Sequence, residues 1–369
     1  MSLFKKMFGG KKGANPEKVK SKKEESSAVL KIKQIERLTA DAVKVIFEVP
    51  ESLKSSYTYV PGQYLNLIMD INGKTEHRSY SICSDINEPL AIGIKKVENG
   101  IVSSHFNEVA KAGDEIEVGF PIGNFKMSKV DGNYVAFAAG SGITPVLSIA
   151  KLINNTAEGH LELFYGNRND QSIMFEEEIN MLSTDKVNTT HIFSEQEKEG
   201  FRHGMLTEEV ITEIIKSNLD LLKAKGFYLC GPEPVIINAQ NALKKFGVQE
   251  DKMFYELFTT PVLMESTKEA VVSDFSGVSK VTVILDEEEE HFELASDGDT
   301  ILEEVESHGI DAPYSCRGAI CCTCKAKVLK GSATMEKNFT LTDSEVKDGY
   351  ILTCQAHPNS EELIISYDE

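Results

Sequence analysis

The sequence predicts a multidomain chain in which an antiparallel β-barrel is followed by a parallel α/β domain and then by a third, acidic domain. Three observations predict it. A chain of 369 residues is longer than one ordinary hydrophobic core organises. Period-two alternation punctuated by turn pairs gives way, at Gly132, to a strand-then-helix grammar. The stretch Lys280 to Glu369 carries 20 acidic and 7 basic side chains, about two-thirds of the chain's net charge of −19.

Residues 1–26 are polar, with eight lysines and three glutamates, and Gly9-Gly10 would break any helix begun at Met1. They read as a disordered tail; Leu3, Phe4, Met7 and Phe8 among the lysines leave a membrane-touching amphipathic segment as the alternative. Residues 27–129 form the barrel: Val43, Val45, Phe47 and Val49 alternate at period two, and Pro61-Gly62, Asn72-Gly73 and Asn99-Gly100 mark turns. Residues 130–260 form the α/β domain. Tyr134 to Ala139 is a strand, Pro145 to Asn154 a helix, Leu161 to Tyr165 and Gly226 to Cys230 further strands, and Pro234 to Phe246 a helix. Residues 261–277 are mixed and serine-containing, a linker, and 278–369 form the acidic domain.

The acidic balance disfavours nucleic acid, whose phosphates need a basic face. No apolar run nears the ~20 residues of a transmembrane helix, and residues 1–12 lack a signal-peptide core, so the cytoplasm is the expected address. Of seven cysteines, Cys316, Cys321, Cys322 and Cys324 crowd together, which suits metal binding better than a disulfide framework.

Cys316, Cys321 and Cys324 are spaced C-x4-C-x2-C, with Cys354 30 positions further on. That is the spacing of a plant-type two-iron cluster. Four thiolates must serve two irons, and a tight loop lets three converge while backbone N–H groups face the sulfurs. Gly318 and Ala319 are small enough to allow it. A zinc site, which favours paired C-x2-C knuckles, and buried structural thiols are the alternatives. Cys322 reads as a non-ligand neighbour, although chemistry alone lets it replace Cys321. The run Pro313-Tyr314-Ser315-Cys316-Arg317-Gly318-Ala319-Ile320-Cys321-Cys322-Thr323-Cys324, with Leu352-Thr353-Cys354-Gln355, resembles a plant-type ferredoxin domain. The resemblance implies a β-grasp, an α+β fold, and a [2Fe-2S] cluster near the surface that carries one electron.

His77-Arg78-Ser79-Tyr80-Ser81-Ile82 supplies a cation, a flat aromatic and hydroxyls, and strand alternation places Arg78 and Tyr80 on one face. A flavin nucleotide needs such groups, though an exposed strand would look the same. With Pro61-Gly62-Gln63-Tyr64 before it, and Gly100-Ile101-Val102-Ser103 and Gly119-Phe120-Pro121-Ile122-Gly123 after it, the segment resembles the ferredoxin–NADP reductase family. That likeness implies FAD rather than FMN. It puts Arg78 on flavin phosphate, Tyr80 on the ring or ribityl chain and Ser81 near the reactive ring nitrogen, with Ser79 in the same strand. The Gly100–Ser103 turn would offer backbone N–H groups, including those of Gly100 and Val102, and the Ser103 hydroxyl to the pyrophosphate.

Val135 to Pro145 is an apolar strand, a glycine turn at Gly140-Ser141-Gly142, then Ile143-Thr144-Pro145 opening a helix, so a diphosphate could approach Gly140, Gly142 and Thr144 at the helix's positive end. It is not the G-x-G-x-x-G fingerprint. This segment, Tyr165-Gly166-Asn167-Arg168 and Leu229-Cys230-Gly231-Pro232-Glu233-Pro234 resemble the nucleotide half of the same reductase family. The resemblance puts Cys230, Gly231 and Pro232 beside the nicotinamide; a small buried residue is the plain alternative for Cys230. Arg168 is either a partner for the 2′-phosphate, which favours NADPH over NADH, or an exposed loop arginine. Phe254-Tyr255-Glu256-Leu257-Phe258 lies where relatives place residues over the flavin ring, making Glu256 and Phe258 candidates there, with a core aromatic the alternative for Phe258.

Together the segments imply an enzyme, an NAD(P)H-dependent oxidoreductase of ferredoxin-reductase type. A flavin mediates between a two-electron donor and a one-electron cluster. The domain order most resembles reductases of the phenylacetyl-CoA epoxidase type, which implies a diiron oxygenase as protein electron acceptor. Related reductases serve Rieske oxygenases and fatty-acyl desaturases, so the acceptor stays open. A non-enzymatic redox carrier or sensor, and a reductase of flavohaemoglobin type, are the rival readings.

Overall fold

In the computed structural model, residues 26–182, 184–259, 262 and 275–369 are described; the expected tail up to residue 25 and most of the expected linker lie outside them. The first sheet contains β1 (Ser27–Thr39), β2 (Ala42–Glu48), β3 (Tyr64–Ile71), β4 (Lys74–Ser81), β5 (Ala91–Lys95) and β6 (Glu115–Gly119), all antiparallel in the order β4-β3-β6-β1-β2-β5. Its two edges meet: Ile82 bridges Ile92, and the Cys83 N–H donates to the Ala91 carbonyl at 2.9 Å. Joining the edges at this point curls the sheet into a barrel. Alternation works as expected, with Val43, Val45 and Phe47 each at most 1 % exposed, while Val49 falls just beyond β2. Asn72 and Gly73 both have positive φ (56° and 79°), the two-residue turn that matches strand twist and sets the β3–β4 register.

The Gly100–Ser103 segment corrects one expectation. It is the first turn of a helix, α1 (Ile101–Glu108), with Gly100 as N-cap. Val102 and Phe106 drive it by burying their side chains in the barrel core.

The second sheet is parallel: β7 (Asn133–Ala139), β8 (His160–Asn167), β9 (Val187–Phe193), β10 (Arg202–His203), β11 (Gly226–Cys230) and β12 (Met253–Glu256), ordered β10-β9-β8-β7-β11-β12. Helices α2 (Ile143–Asn154) and α3 (Glu176–Asn180) pack on one face, α4 (Glu208–Ser217) and α5 (Glu233–Lys245) on the other. Helix α2 starts two residues before Pro145. A proline in the first turn costs nothing there, because those N–H groups have no intrahelical acceptor. Strand order reverses between β7 and β11, which opens a crevice at their carboxyl ends, where open α/β sheets bind ligands. One hydrophobic cluster contains Ala42, Cys83, Ala91 and Phe125 of the barrel together with Ile143, Val146 and Phe175 of the α/β domain, so these two units share a core.

The third unit has β13 (Val278–Leu285), β14 (Glu288–Ala295), α6 (Ile301–Ser307), β15 (Lys325–Lys330), β16 (Ala333–Met335), α7 (Asp343–Lys347), β17 (Tyr350–Leu352), β18 (Ala356–Pro358) and β19 (Glu362–Ser366). Its main sheet runs β14-β13-β19-β15-β17 with β13 and β19 parallel, and β16 pairs with β18. Ile301, Leu302 and Val305 press α6 onto this sheet. Thr300 and Glu303 form a capping box that starts the helix.

Candidate functional site

The cysteine loop between α6 and β15 is built on two left-handed residues, Arg317 (φ 52°) and Ala319 (φ 62°), rather than on the glycine between them. Of the two small residues expected to permit the loop, Ala319 takes a left-handed conformation and Gly318 does not, with Arg317 supplying the second such position. Left-handed residues turn successive N–H groups inward, and the Gly318 N–H donates to Cys316 Sγ at 3.3 Å.

The four expected ligands form two pairs. Cys316 and Cys321 have their sulfurs 3.1 Å apart, and Cys324 shares a thiol hydrogen bond with Cys354. In each pair one thiol is driven toward the thiolate. Cys316 is pushed down to about 6, first by the Cys321 thiol and then by backbone N–H groups, and Cys354 is lowered first by the Cys324 thiol. Among the described residues no three His, Cys, Asp or Glu side chains gather as ligands of a single metal ion. Two pairs suit two irons with two thiolates each, and do not suit one tetrahedral zinc. Cys322 points elsewhere: its Sγ lies 3.2 Å from Thr340 Oγ1 and 3.7 Å from Asn124 Nδ2 of the barrel.

The loop packs against the end of the barrel, and between them lies a cleft of about 610 Å³, within the range of cofactor sites. Arg78, Ser79 and Ser81 of β4 line it, with Glu256 and Phe258 from the α/β domain and Cys316 and Cys321 from the loop. The Ser81 hydroxyl donates to Glu256 Oε2 at 2.9 Å. Glu256 is paired in register with Cys230 across β12 and β11. Burial pushes the Glu256 carboxyl up to about 8, and pushes the Cys230 thiol up as well, with Glu256 adding to that rise. Cys230 is fully buried and does not itself line the cleft.

The other expected site residues have their own surroundings. Tyr80 does not line this cleft; it packs edge-on over Phe106 of α1 at 6.4 Å, while Arg78 lies in the cleft beside Glu76, 3.1 Å away. The Ser103 hydroxyl is already used, accepting from the Val97 N–H at 3.1 Å and donating to the Gly100 carbonyl at 3.4 Å, so it holds the helix start. Val102 is in the core, which leaves its backbone as the group able to face a phosphate. Any side chain at Gly100 would meet Ser103 Oγ at 2.5 Å.

At the strand-order reversal, Gly140 and Gly142 follow β7, and Gly231 and Pro232 follow β11. A Cβ on Gly142 would lie 2.1 Å from the Cys230 carbonyl oxygen, so only glycine allows α2 to begin against β11. Thr144 is buried, and its hydroxyl donates to the Ser141 carbonyl at 3.0 Å, stiffening the turn. Arg168 stands apart from the cleft, 3.6 Å from Asp41 of the barrel.

Sequence reading missed the residues that join loop to barrel. Asn66 Nδ2 donates to Thr323 Oγ1 at 2.8 Å, the Ser79 and Ser315 hydroxyls are 2.9 Å apart, the Cys322 N–H donates to Tyr64 Oη at 3.2 Å, and His77 stacks on Tyr314 at 4.4 Å. Tyr64 lies in a recognised stretch without a role attached, and Asn66 has no local signal at all.

Comparison with known proteins matches residues 29–127 to an oxidoreductase FAD-binding domain, 137–241 to an oxidoreductase NAD-binding domain and 283–359 to a 2Fe-2S iron-sulfur cluster binding domain. A component of the 1,2-phenylacetyl-CoA epoxidase of Escherichia coli (strain K12) is 34% identical over 348 residues, covering 92% of this chain and 97% of that protein. The ferredoxin reductase component of 3-ketosteroid-9-alpha-monooxygenase from Rhodococcus rhodochrous is 28% identical, with 92% and 97% covered. Among solved structures, phthalate dioxygenase reductase has the same fold, with a TM-score of 0.56 at 22% identity over 92% of this chain and 98% of that one.

Proposed function

The chain belongs to the ferredoxin–NADP reductase family with a C-terminal [2Fe-2S] ferredoxin domain, and from that premise we propose that it is the reductase component of an oxygenase system of the phenylacetyl-CoA epoxidase type. It is an NAD(P)H-dependent oxidoreductase that uses FAD and a [2Fe-2S] cluster. When bound, FAD would supply two-electron hydride chemistry and the [2Fe-2S] cluster one-electron transfer.

The observation that carries the reading is that Ser81, Glu256, Phe258, Cys316 and Cys321 line one cleft. Arg78 supplies the cation for a phosphate. The Ser81 hydroxyl donates to Glu256 Oε2, and the raised carboxyl keeps a proton of its own near neutral pH beside the cleft. Cys230, Gly231 and the Gly140–Gly142 turn shape the crevice for the nicotinamide, with Gly142 permitting the close approach of two backbones. Cys316, Cys321, Cys324 and Cys354 would hold the cluster, with Cys316 and Cys321 on the wall of the same cleft. None of the seven cysteines is in a disulfide, which together with the nucleotide donor supports an address in the reducing cytoplasm. Among the described residues no helix is long and apolar enough to cross a membrane.

The test is anaerobic titration of the cofactor-loaded protein with NADPH and NADH, followed by mixing with a purified diiron or Rieske oxygenase component. Bleaching of flavin and cluster bands, and turnover with the diiron component, are expected. Turnover with the Rieske component alone would reassign the acceptor, and a loaded protein that neither nucleotide reduces would reject the reading.

A further inference from the structure

We propose that Asn66 is a positioning residue that docks the cysteine loop on the barrel and thereby sets how fast the cluster is reduced, without affecting the nicotinamide step. The inference rests on the reading above, in which electrons pass from the flavin site to the cluster.

Asn66 lies on β3 between Leu65 and Leu67, both fully buried in the barrel core, so its own side chain faces the opposite way, toward the third unit, and is 6 % exposed. A buried amide left without partners is costly, whereas an apolar residue could cover the same surface without that cost. Here both ends of the amide are engaged. Nδ2 donates to Thr323 Oγ1 at 2.8 Å, and Oδ1 accepts from the Ser79 hydroxyl at 2.7 Å, which is in turn 2.9 Å from the Ser315 hydroxyl.

The partners are placed for a purpose that packing alone does not need. Ser315 immediately precedes Cys316 and Thr323 immediately precedes Cys324, so the two links grip the ligand loop at both ends. Between them the Cys322 N–H donates to Tyr64 Oη at 3.2 Å. Three directional tethers fix the orientation of the loop as well as its distance. Ile320 and Phe339 pack on the apolar cluster of the α/β domain and supply non-directional adhesion. Removing the Asn66 links therefore lets the loop shift while the unit stays attached. The links that Asn66 makes are between neutral groups, so this dock is indifferent to ionic strength.

The experiment uses the full chain loaded with both cofactors and compares Asn66→Leu, Thr323→Val and the double variant. Anaerobic stopped-flow mixing with NADPH reads flavin bleaching and cluster reduction separately, and deuterium exchange reads the protection of residues 315–323. In Asn66→Leu, flavin bleaching stays unchanged, cluster reduction slows roughly fivefold to tenfold, the effect of one or two hydrogen bonds on the docked fraction, and exchange in the loop rises. Thr323→Val slows the same phase by less, and the double variant is no slower than Asn66→Leu because the two residues share a bond. If Asn66→Leu fails to load its cofactors, Thr323→Val removes the same bond from the other side, read with the cluster potential measured in parallel because Thr323 also hydrogen-bonds Cys321. Unchanged cluster reduction in the variants that load, or slowing explained wholly by a shifted cluster potential, overturns the proposal. A loaded, unsubstituted protein whose flavin bleaches while its cluster stays oxidised defeats the electron route itself, which is a separate failure.

Discussion

Replacing Ser81 with alanine perturbs one proton at one place. Burial raises the Glu256 carboxyl from 4.5 to about 8, and the 2.9 Å hydrogen bond from the Ser81 hydroxyl opposes that rise by favouring the ionised form. A hydrogen bond to a charged group contributes about 1.5 kcal/mol, and one pH unit corresponds to about 1.4 kcal/mol, so its loss should move the carboxyl up by about one unit. The neutral carboxyl is the competent form, because a carboxylate beside a cofactor gaining negative charge repels it. Rates of flavin reduction by NADPH should hold below pH ~8 and fall as pH rises through it. In Ser81→Ala the falling limb moves about one unit higher, and in Glu256→Gln it disappears. The assay is single-turnover bleaching of the flavin band from pH 6 to 10. A limb that stays at the same pH in Ser81→Ala, or that persists in Glu256→Gln, refutes the reasoning.

The same carboxyl makes a stability prediction. Its value in the folded protein is raised, so the stability it contributes is fully present below the unfolded value of 4.5 and is lost as pH rises through about 8; thermal unfolding should show a downward slope of about 1.4 kcal/mol per pH unit in that window, flattened in Glu256→Gln. Serine at Cys316, Cys321, Cys324 or Cys354 should abolish the visible cluster bands and lower bound iron from two per chain, whereas Cys322→Ser should keep both, as read by absorbance and iron assay. Gly142→Ala forces a methyl to within 2.1 Å of the Cys230 carbonyl, and should cost at least tenfold in kcat/KM for the nicotinamide donor while the FAD spectrum and cluster iron are retained. Arg168→Ala should raise KM for NADPH severalfold and leave NADH unchanged; equal effects on both would make Arg168 a structural partner of Asp41.

What the sequence by itself determined are the features whose cause is local. The C-x4-C-x2-C loop is legible because its three cysteines lie close along the chain. The Asn72-Gly73 hairpin is legible because its φ values need those residue types, and β2 because alternation is a property of neighbours. The order of barrel, α/β domain and acidic domain follows from the same short-range patterns. Only the tertiary structure decided which groups face one another. Asn66 and Thr323 are 257 residues apart, and nothing near Asn66 announces its partner. Ser103 reads as a free hydroxyl in a turn until the fold engages it with Val97 and Gly100, and Arg317 carries no local sign of the positive φ that it shares with the small Ala319. The elevated Glu256 carboxyl arises from burial at the end of β12, where barrel, α/β domain and cysteine loop meet, and burial is a property of the assembled surface rather than of any stretch of residues. Local patterns specify the parts; long-range packing and desolvation determine which of those parts can react together.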